Sequence, residues 1–200
     1  MLQKFLSDNL NLSDYVRIFT KDIHNMNDAE ISYKPNLYDT FPPHCMSGTL
    51  GSRIIDEVNI HSSVGFTIKG VSNEIILDRL NVSSLSFDEN LIPTYKINNT
   101  HPDIYFEKNT FSIWDSNENF NKIINIYSPE NIYVYGVAGD ICVKSLVNGL
   151  LYSQFYKFYR PNIYIITDCC ASINNDEFNK MFTDLRINAI TLNTLTEEGE

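Results

Sequence analysis

Short runs of β-branched and aromatic residues recur at positions 15–20, 104–107, 132–137 and 162–167, and each predicts a buried strand. Between and after them, apolar residues fall at helical spacing. These are Phe120, Ile123 and Ile124, then Val143, Leu146, Val147, Leu150 and Leu151, then Phe178, Met181, Phe182 and Leu185. Strand and helix alternate, so the pattern predicts an α/β protein with a mostly parallel sheet covered by helices, a three-layer Rossmann-like arrangement. A last short strand is expected at 189–192, followed by a solvated, mobile tail, TEEGE. Residues 59–102 are less regular: Ser, Asn and Pro interrupt two apolar runs near 64–68 and 75–80. This stretch reads as an elaborated insertion on a single domain spanning 1–200. No repeat with a period of about 20–50 residues is visible.

Composition narrows the classes. With 43% hydrophobic residues in 200, the chain can fill one sizeable core but not two large domains. Its 25 acidic residues against 15 basic ones give a formal charge of −10, which lacks the positive field that phosphate backbones demand, so no nucleic-acid partner is expected. No apolar run approaches the ~20 residues that span a bilayer. The start, MLQKFLSDN, lacks the basic region and apolar stretch of a signal peptide, so a soluble, cytoplasmic protein without a membrane partner is expected. Cys45, Cys142, Cys169 and Cys170 include no C-x-x-C spacing, which predicts reduced thiols rather than a disulfide framework.

Three segments carry candidate chemistry. In YGVAGDICV (135–143) a strand ends in small residues and a helix begins close to Cys142. A thiol at a helix N-terminus feels the positive end of the macrodipole, which favours the thiolate, and neighbouring N–H groups could receive an oxyanion. The alternative is a small buried thiol packing the junction. In TKDIHNMNDAE (20–30), Asp22 and His24 leave an extended chain on the same side, and Glu30 and His44 could return to that point. Carboxylate plus imidazole is a ligand set for zinc, iron(II) or manganese(II); a polar loop with ordinary caps is the other reading. In FEKNTFSIW (106–114), a strand delivers Lys108 close to aromatic residues. Were its strand a parallel neighbour of the one before Cys142, both residues would sit at carboxyl ends, where open α/β sheets place ligands. A solvated surface lysine is the competing reading.

Taken together these stretches resemble the isochorismatase-like cysteine hydrolase superfamily, and within it the nicotinamidase branch. TKDIH (20–24) resembles the metal loop, FPPHCMSGTLG (41–51) the second metal-binding segment, KNTFS (108–112) the lysine motif and YGVAGDICVK (135–144) the nucleophile turn. The order and spacing agree over about residues 15–192. The resemblance implies the isochorismatase-like hydrolase fold, with Cys142 as nucleophile and Lys108 as its electrostatic activator. It further implies an oxyanion hole from the backbone N–H groups of Ala138 and Cys142, and a cis peptide at Val137–Ala138. Asp22, His24 and His44 become ligands of a divalent metal, zinc first, with iron(II) or manganese(II) as alternatives. Glu30 falls at the fourth ligand position and Asp28 is the weaker choice. Phe41, Phe111 and Trp114 would sandwich a planar aromatic amide whose ring nitrogen reaches the metal.

Two departures accompany the resemblance. Members of the superfamily begin with a strand ending in an Asp that serves as general base. Here residues 1–12 supply only the end of the following helix, through Leu2, Phe5, Leu6 and Leu10, so an N-terminally truncated fold is expected. In the strand order 3-2-1-4-5-6, that loss would open the middle of the sheet, and Asp8 and Asp14 follow no strand that could aim them at Cys142. Gly139 stands where the superfamily more often has Thr. The implied activity is hydrolysis of a small aromatic carboxamide such as nicotinamide to the acid and ammonia through a cysteine thioester. The alternative is an inactive relative that binds a ligand or partner. Self-association, common in the superfamily, is a further expectation.

Overall fold

The computed structural model describes residues 15–54, 65–69, 75–77, 103–185 and 187–197. The expectations resting on residues 1–12, Asp8 and Asp14 lie outside them. Contacts gather into two compact units, one within Asn11–Ile123 and the other containing Ile124–Glu200.

In the first unit, strands β1 (Ile18–Asp22), β2 (Gly65–Ile68), β3 (Ile75–Leu77) and β4 (Asp103–Lys108) form a sheet in the order β1-β4-β2-β3. β4 runs parallel to β1 and β2, and β3 is antiparallel to β2. The two apolar runs of the irregular stretch are therefore strands of this sheet. Parallel register sets Ile18 against Ile104, Thr20 against Phe106 and Asp22 against Lys108. Successive side chains alternate in face, so Phe19 stacks on Tyr105 at 4.9 Å on one side while Ile104 and Phe106 are fully buried on the other. Helices α1 (Ile113–Ser116) and α2 (Glu118–Tyr127) follow β4. The Phe120 ring meets Phe106 edge-on at 5.2 Å, and buried Asn117 donates to the carbonyls of Ile68 (3.1 Å) and Glu107 (3.3 Å), fastening the ends of β2 and β4. That accounting matters because buried backbone acceptors without partners are costly.

In the second unit, β5 (Asn131–Val137), β6 (Asn162–Ala171) and β7 (Asn188–Ile190) form a parallel sheet in the order β5-β6-β7. Helices α3 (Lys144–Tyr152), α4 (Gln154–Tyr159), α5 (Asn175–Leu185) and α6 (Leu192–Glu197) complete it. The expected helical residues are buried at Val143, Val147, Leu150, Phe178 and Met181. Both units hold mostly parallel sheets with helices, as the strand-helix alternation predicts.

Several boundaries differ from expectation. β6 continues to Ala171, because its register jumps from Val134–Ile165 to Gly136–Cys170 and the extra length pairs with the end of β5. Leu192 begins a helix instead of ending a strand, its N–H accepted by both Asp168 carboxylate oxygens at 3.1 and 3.2 Å. That helix extends to Glu197, so TEEGE is not a free tail throughout. β4 pairs with β1 and β2, whereas β5 pairs with β6. Among the described residues, no helix is long and apolar enough to cross a membrane.

Candidate active site

The first unit gathers its polar side chains at the carboxyl end of β1. Asp22 is the last residue of that strand, and beyond it Ile23 donates its N–H to Lys108 O at 2.8 Å. His24 then bridges to Met46: its N–H donates to Cys45 O (3.0 Å) and its carbonyl accepts from Ser47 N (2.8 Å). A second bridge, Ile31 with Phe41, closes the intervening loop. These two bridges bring positions 22–30 and 41–47 side by side, which is how residues 20 apart come to share a site.

His24 is wholly buried, and among the described residues neither ring nitrogen has a hydrogen-bond partner. A buried polar atom left unpaired is costly, so two on one ring ask for an explanation. Nε2 lies 3.8 Å from Glu30 Oε1, which is also 3.8 Å from His44 Nε2, and the two imidazole centroids are 4.6 Å apart. His44 Nδ1 contacts Pro42 O at 2.8 Å. A carbonyl only accepts, so Nδ1 is the donor of this bond and Nε2 is the nitrogen left to face the cluster. One donor atom from each of Asp22, His24 and His44 lies within 4.8 Å of the others. Donors about 2.0–2.2 Å from a tetrahedral ion stand about 3.3–3.6 Å apart, so this set fits a divalent metal after a small contraction.

The two candidates for a fourth ligand are placed differently. Glu30 Oε1 faces both Nε2 atoms, while its Oε2 accepts the Phe111 N–H at 2.6 Å. Asp28 Oδ2 accepts the Asn25 N–H at 2.7 Å and lies 3.6 Å from Nδ1, the other nitrogen of His24. Glu30 thus lies by Nε2 of His24 and Asp28 by its Nδ1, and neither belongs to the cluster formed by Asp22, His24 and His44. Lys108, 4% exposed, pairs with Asp22 and donates to Thr110 O at 3.0 Å. A buried ammonium persists only with such partners, so the surface-lysine reading does not hold.

The aromatic candidates diverge. Phe41 meets the His44 ring edge-on at 6.1 Å, and Phe111 is 37% exposed beside Glu30. Trp114 packs edge-on against Phe120 at 5.0 Å, on the core side of α1.

The second unit builds its candidate from backbone. β5 ends through Gly136, whose φ of +137° suits glycine, and the Val137–Ala138 peptide is cis. Gly139–Val143 is a single π turn, so Cys142 sits in a tight turn ahead of α3 rather than in its first α turn. Ala138 O accepts from Ile141 N (3.2 Å) and Val143 N (3.1 Å). A Cβ on Gly139 would stand 2.5 Å from Ser172 Oγ and 2.7 Å from the Phe178 ring, which is why a residue as large as Thr has no room here. Asp140, which the sequence reading did not single out, accepts the N–H groups of Ile173 (3.0 Å) and Asn174 (2.9 Å). Its only sequence signal is its place inside the nucleophile motif.

Two other thiols, Cys169 and Cys170, are of another kind. Burial, then the Asp168 carboxylate, pushes the Cys169 thiol up to about 11, and burial likewise raises Cys170, whose Sγ donates to Ile166 O at 3.4 Å. Neither favours a thiolate near neutrality.

The sequence pattern of the isochorismatase domain matches residues 81–197, more than half of the chain. No curated protein matches it by sequence. Among solved structures, an isochorismatase-like hydrolase from Alkaliphilus metalliredigens is similar, with a TM-score of 0.57 and 17% identity over 100% of this chain and 82% of that one. The pyrazinamidase/nicotinamidase of Streptococcus mutans UA159 gives 0.55 and 17% over 94% and 81%. The pyrazinamidase of Pyrococcus horikoshii, solved in complex with zinc, gives 0.53 and 14% over 94% and 79%.

Proposed function

The chain belongs to the isochorismatase family, and from that premise we propose that it is an amidohydrolase of nicotinamidase type, acting on a small aromatic carboxamide. The observation that carries this reading is the wholly buried His24, with both ring nitrogens unpaired, set among Asp22, Glu30 and His44. Protein interiors rarely leave an imidazole in that condition, whereas a ligating histidine gives one nitrogen to the metal and turns the other toward a partner such as Asp28, 3.6 Å from Nδ1. Asp22, His24 and His44 would hold a divalent ion, zinc first, with Glu30 as the fourth ligand. Bound there, the ion would supply a Lewis-acid anchor for a heteroaromatic nitrogen.

The chain's own residues do the rest. The Cys142 thiolate attacks the carboxamide carbon, the oxygen takes up negative charge, and the N–H groups of Ala138 and Cys142 receive it. The C–N bond then breaks as the leaving nitrogen takes up, by way of water, the proton that the Cys142 thiol released on ionising, so that ammonia departs and a thioester remains. Water adds to the thioester, releasing the acid and restoring the thiol. Lys108, its charge kept by Asp22, serves as the electrostatic activator of the nucleophile. Phe41 and Phe111 flank the aromatic ring, and Trp114 supports them from the core.

The test is to purify the protein, measure bound metal, and follow ammonia release from nicotinamide and a panel of related aromatic and aliphatic amides. Metal near one equivalent and ammonia release that vanishes in Cys142→Ala are expected. A folded, metal-loaded protein that hydrolyses none of the panel would overturn the enzymatic reading in favour of ligand binding without turnover.

A further inference from the structure

We propose that Asp140 is a positioning residue for Cys142, fastening the nucleophile turn to the start of α5; the inference rests on Cys142 being the nucleophile. Both oxygens of its carboxylate are engaged, Oδ1 by the Ile173 N–H at 3.0 Å and Oδ2 by the Asn174 N–H at 2.9 Å. Asn174 in turn caps α5, its Oδ1 accepting the N–H groups of Asp176 (3.0 Å) and Glu177 (3.2 Å). Gly139 lies flush against Ser172 and Phe178, and Lys144 pairs with Glu177 at 3.2 Å. Residues 139–144 are thereby held to residues 172–178 at three points.

The turn requires such holding. Single π turns are rare because their hydrogen bonds are poorly matched to the chain, and this one closes through Lys144 N to Gly139 O. Two N–H···carboxylate bonds are charge-assisted and stronger than their neutral counterparts, so Asp140 is the firmest of the three fastenings. Its charge acts in the opposite sense. A carboxylate two residues from a thiol opposes ionisation, so any benefit of Asp140 to Cys142 must come through geometry. The sign of a substitution therefore separates the two effects.

The experiment uses the full chain as wild type, Asp140→Asn and Asp140→Ala, treated briefly with limiting iodoacetamide and mapped by mass spectrometry at all four cysteines. Asparagine keeps one acceptor oxygen and alanine none. Labelling of Cys142 should slow about two- to threefold in the asparagine variant and about tenfold in the alanine variant, with Cys169, Cys170 and metal content unchanged. Faster labelling of Cys142 would show that charge outweighs position and would overturn the proposal. So would a rise at Cys169 and Cys170 alongside any change at Cys142, since that marks general loosening. If the alanine variant does not fold, the asparagine variant decides. Should Cys142 not be the fastest thiol in the wild type, the nucleophile assignment itself fails, and that result is read before any variant is compared.

Discussion

Between Asp22 and His44, chemistry is concentrated in side chains that turn inward from a strand end and two short bridges. Between Gly136 and Lys144, the candidate chemistry rests on the course of the backbone, with Cys142 as the proposed nucleophile. The contrast teaches what each region tolerates. A site made of side chains can lose them singly while its scaffold persists. A site made of backbone is vulnerable at residues that contribute no functional group, such as Gly139, whose role is to occupy no space.

The sharpest way to separate the regions is to remove the one reacting atom. Cys142→Ala should reduce ammonia release from an aromatic amide by at least about a thousandfold, because the covalent route is lost. Bound metal, measured on the same preparation, should not change. Loss of metal in this variant would mean that the two regions cannot be treated separately.

The reciprocal experiment is next in size. His24→Ala or His44→Ala should weaken metal binding by at least about a hundredfold, since the loss of even an outer partner costs ten- to a hundredfold. Cys142 should remain the first thiol alkylated. Unchanged stoichiometry and affinity in both variants would remove the ligand assignment.

The same contrast explains what was legible in the sequence. That Asp22 and His24 lie together was legible because alternation along an extended chain puts both on one side, whereas the pairing of Lys108 with Asp22 depends on the register of β1 against β4, which no local signal gives. Where Glu30 and Asp28 lie about His24 was not decidable from spacing, because Glu30 comes to Nε2 and Asp28 to Nδ1 only through the course of the intervening loop. Five strands were visible as β-branched runs, whereas β2 and β3 showed only as two apolar runs in an interrupted stretch, because polar residues surround them and partner choice is a tertiary matter. The end of β6 was missed for a related reason: nothing local marks the register jump that lets it rejoin β5. Asp140 was passed over because its partners are backbone N–H groups 33 and 34 residues away, and backbone donors leave no trace in residue identity.

A smaller effect tests whether room at the backbone is the limiting feature. Gly139→Ala places a methyl group 2.5 Å from Ser172 Oγ and 2.7 Å from the Phe178 ring, so the loop or the helix must give way. Overpacking of this kind costs about 1–3 kcal/mol, visible as a lower denaturation midpoint at unchanged slope. Because α5 carries Phe178, the turn and the helix should loosen together, with faster amide exchange in both. A variant as stable as wild type would mean that the turn is not built around the missing side chain.

The smallest effect asks whether a thiol alone distinguishes the nucleophile turn, since the same unit holds Cys169 and Cys170. Cys169 packs against the cluster of Ile166, Ile190 and Leu192, and its thiol is raised to about 11, first by burial and then by Asp168 and Cys170. An unfolded cysteine ionises near 9. Between those values the unfolded chain has released a proton that the folded chain still holds, so rising pH favours unfolding. The contribution is fully present below about pH 9 and is lost as pH climbs through about 11. Urea unfolding at pH 8 and pH 10.5 should therefore show a larger loss of stability in wild type than in Cys169→Ala. The difference should be modest because the thiol is only partly buried. Equal losses in the two proteins would mean that Cys169 ionises as freely folded as unfolded. The lower reactivity expected of Cys169 than of Cys142 would then need a cause other than packing.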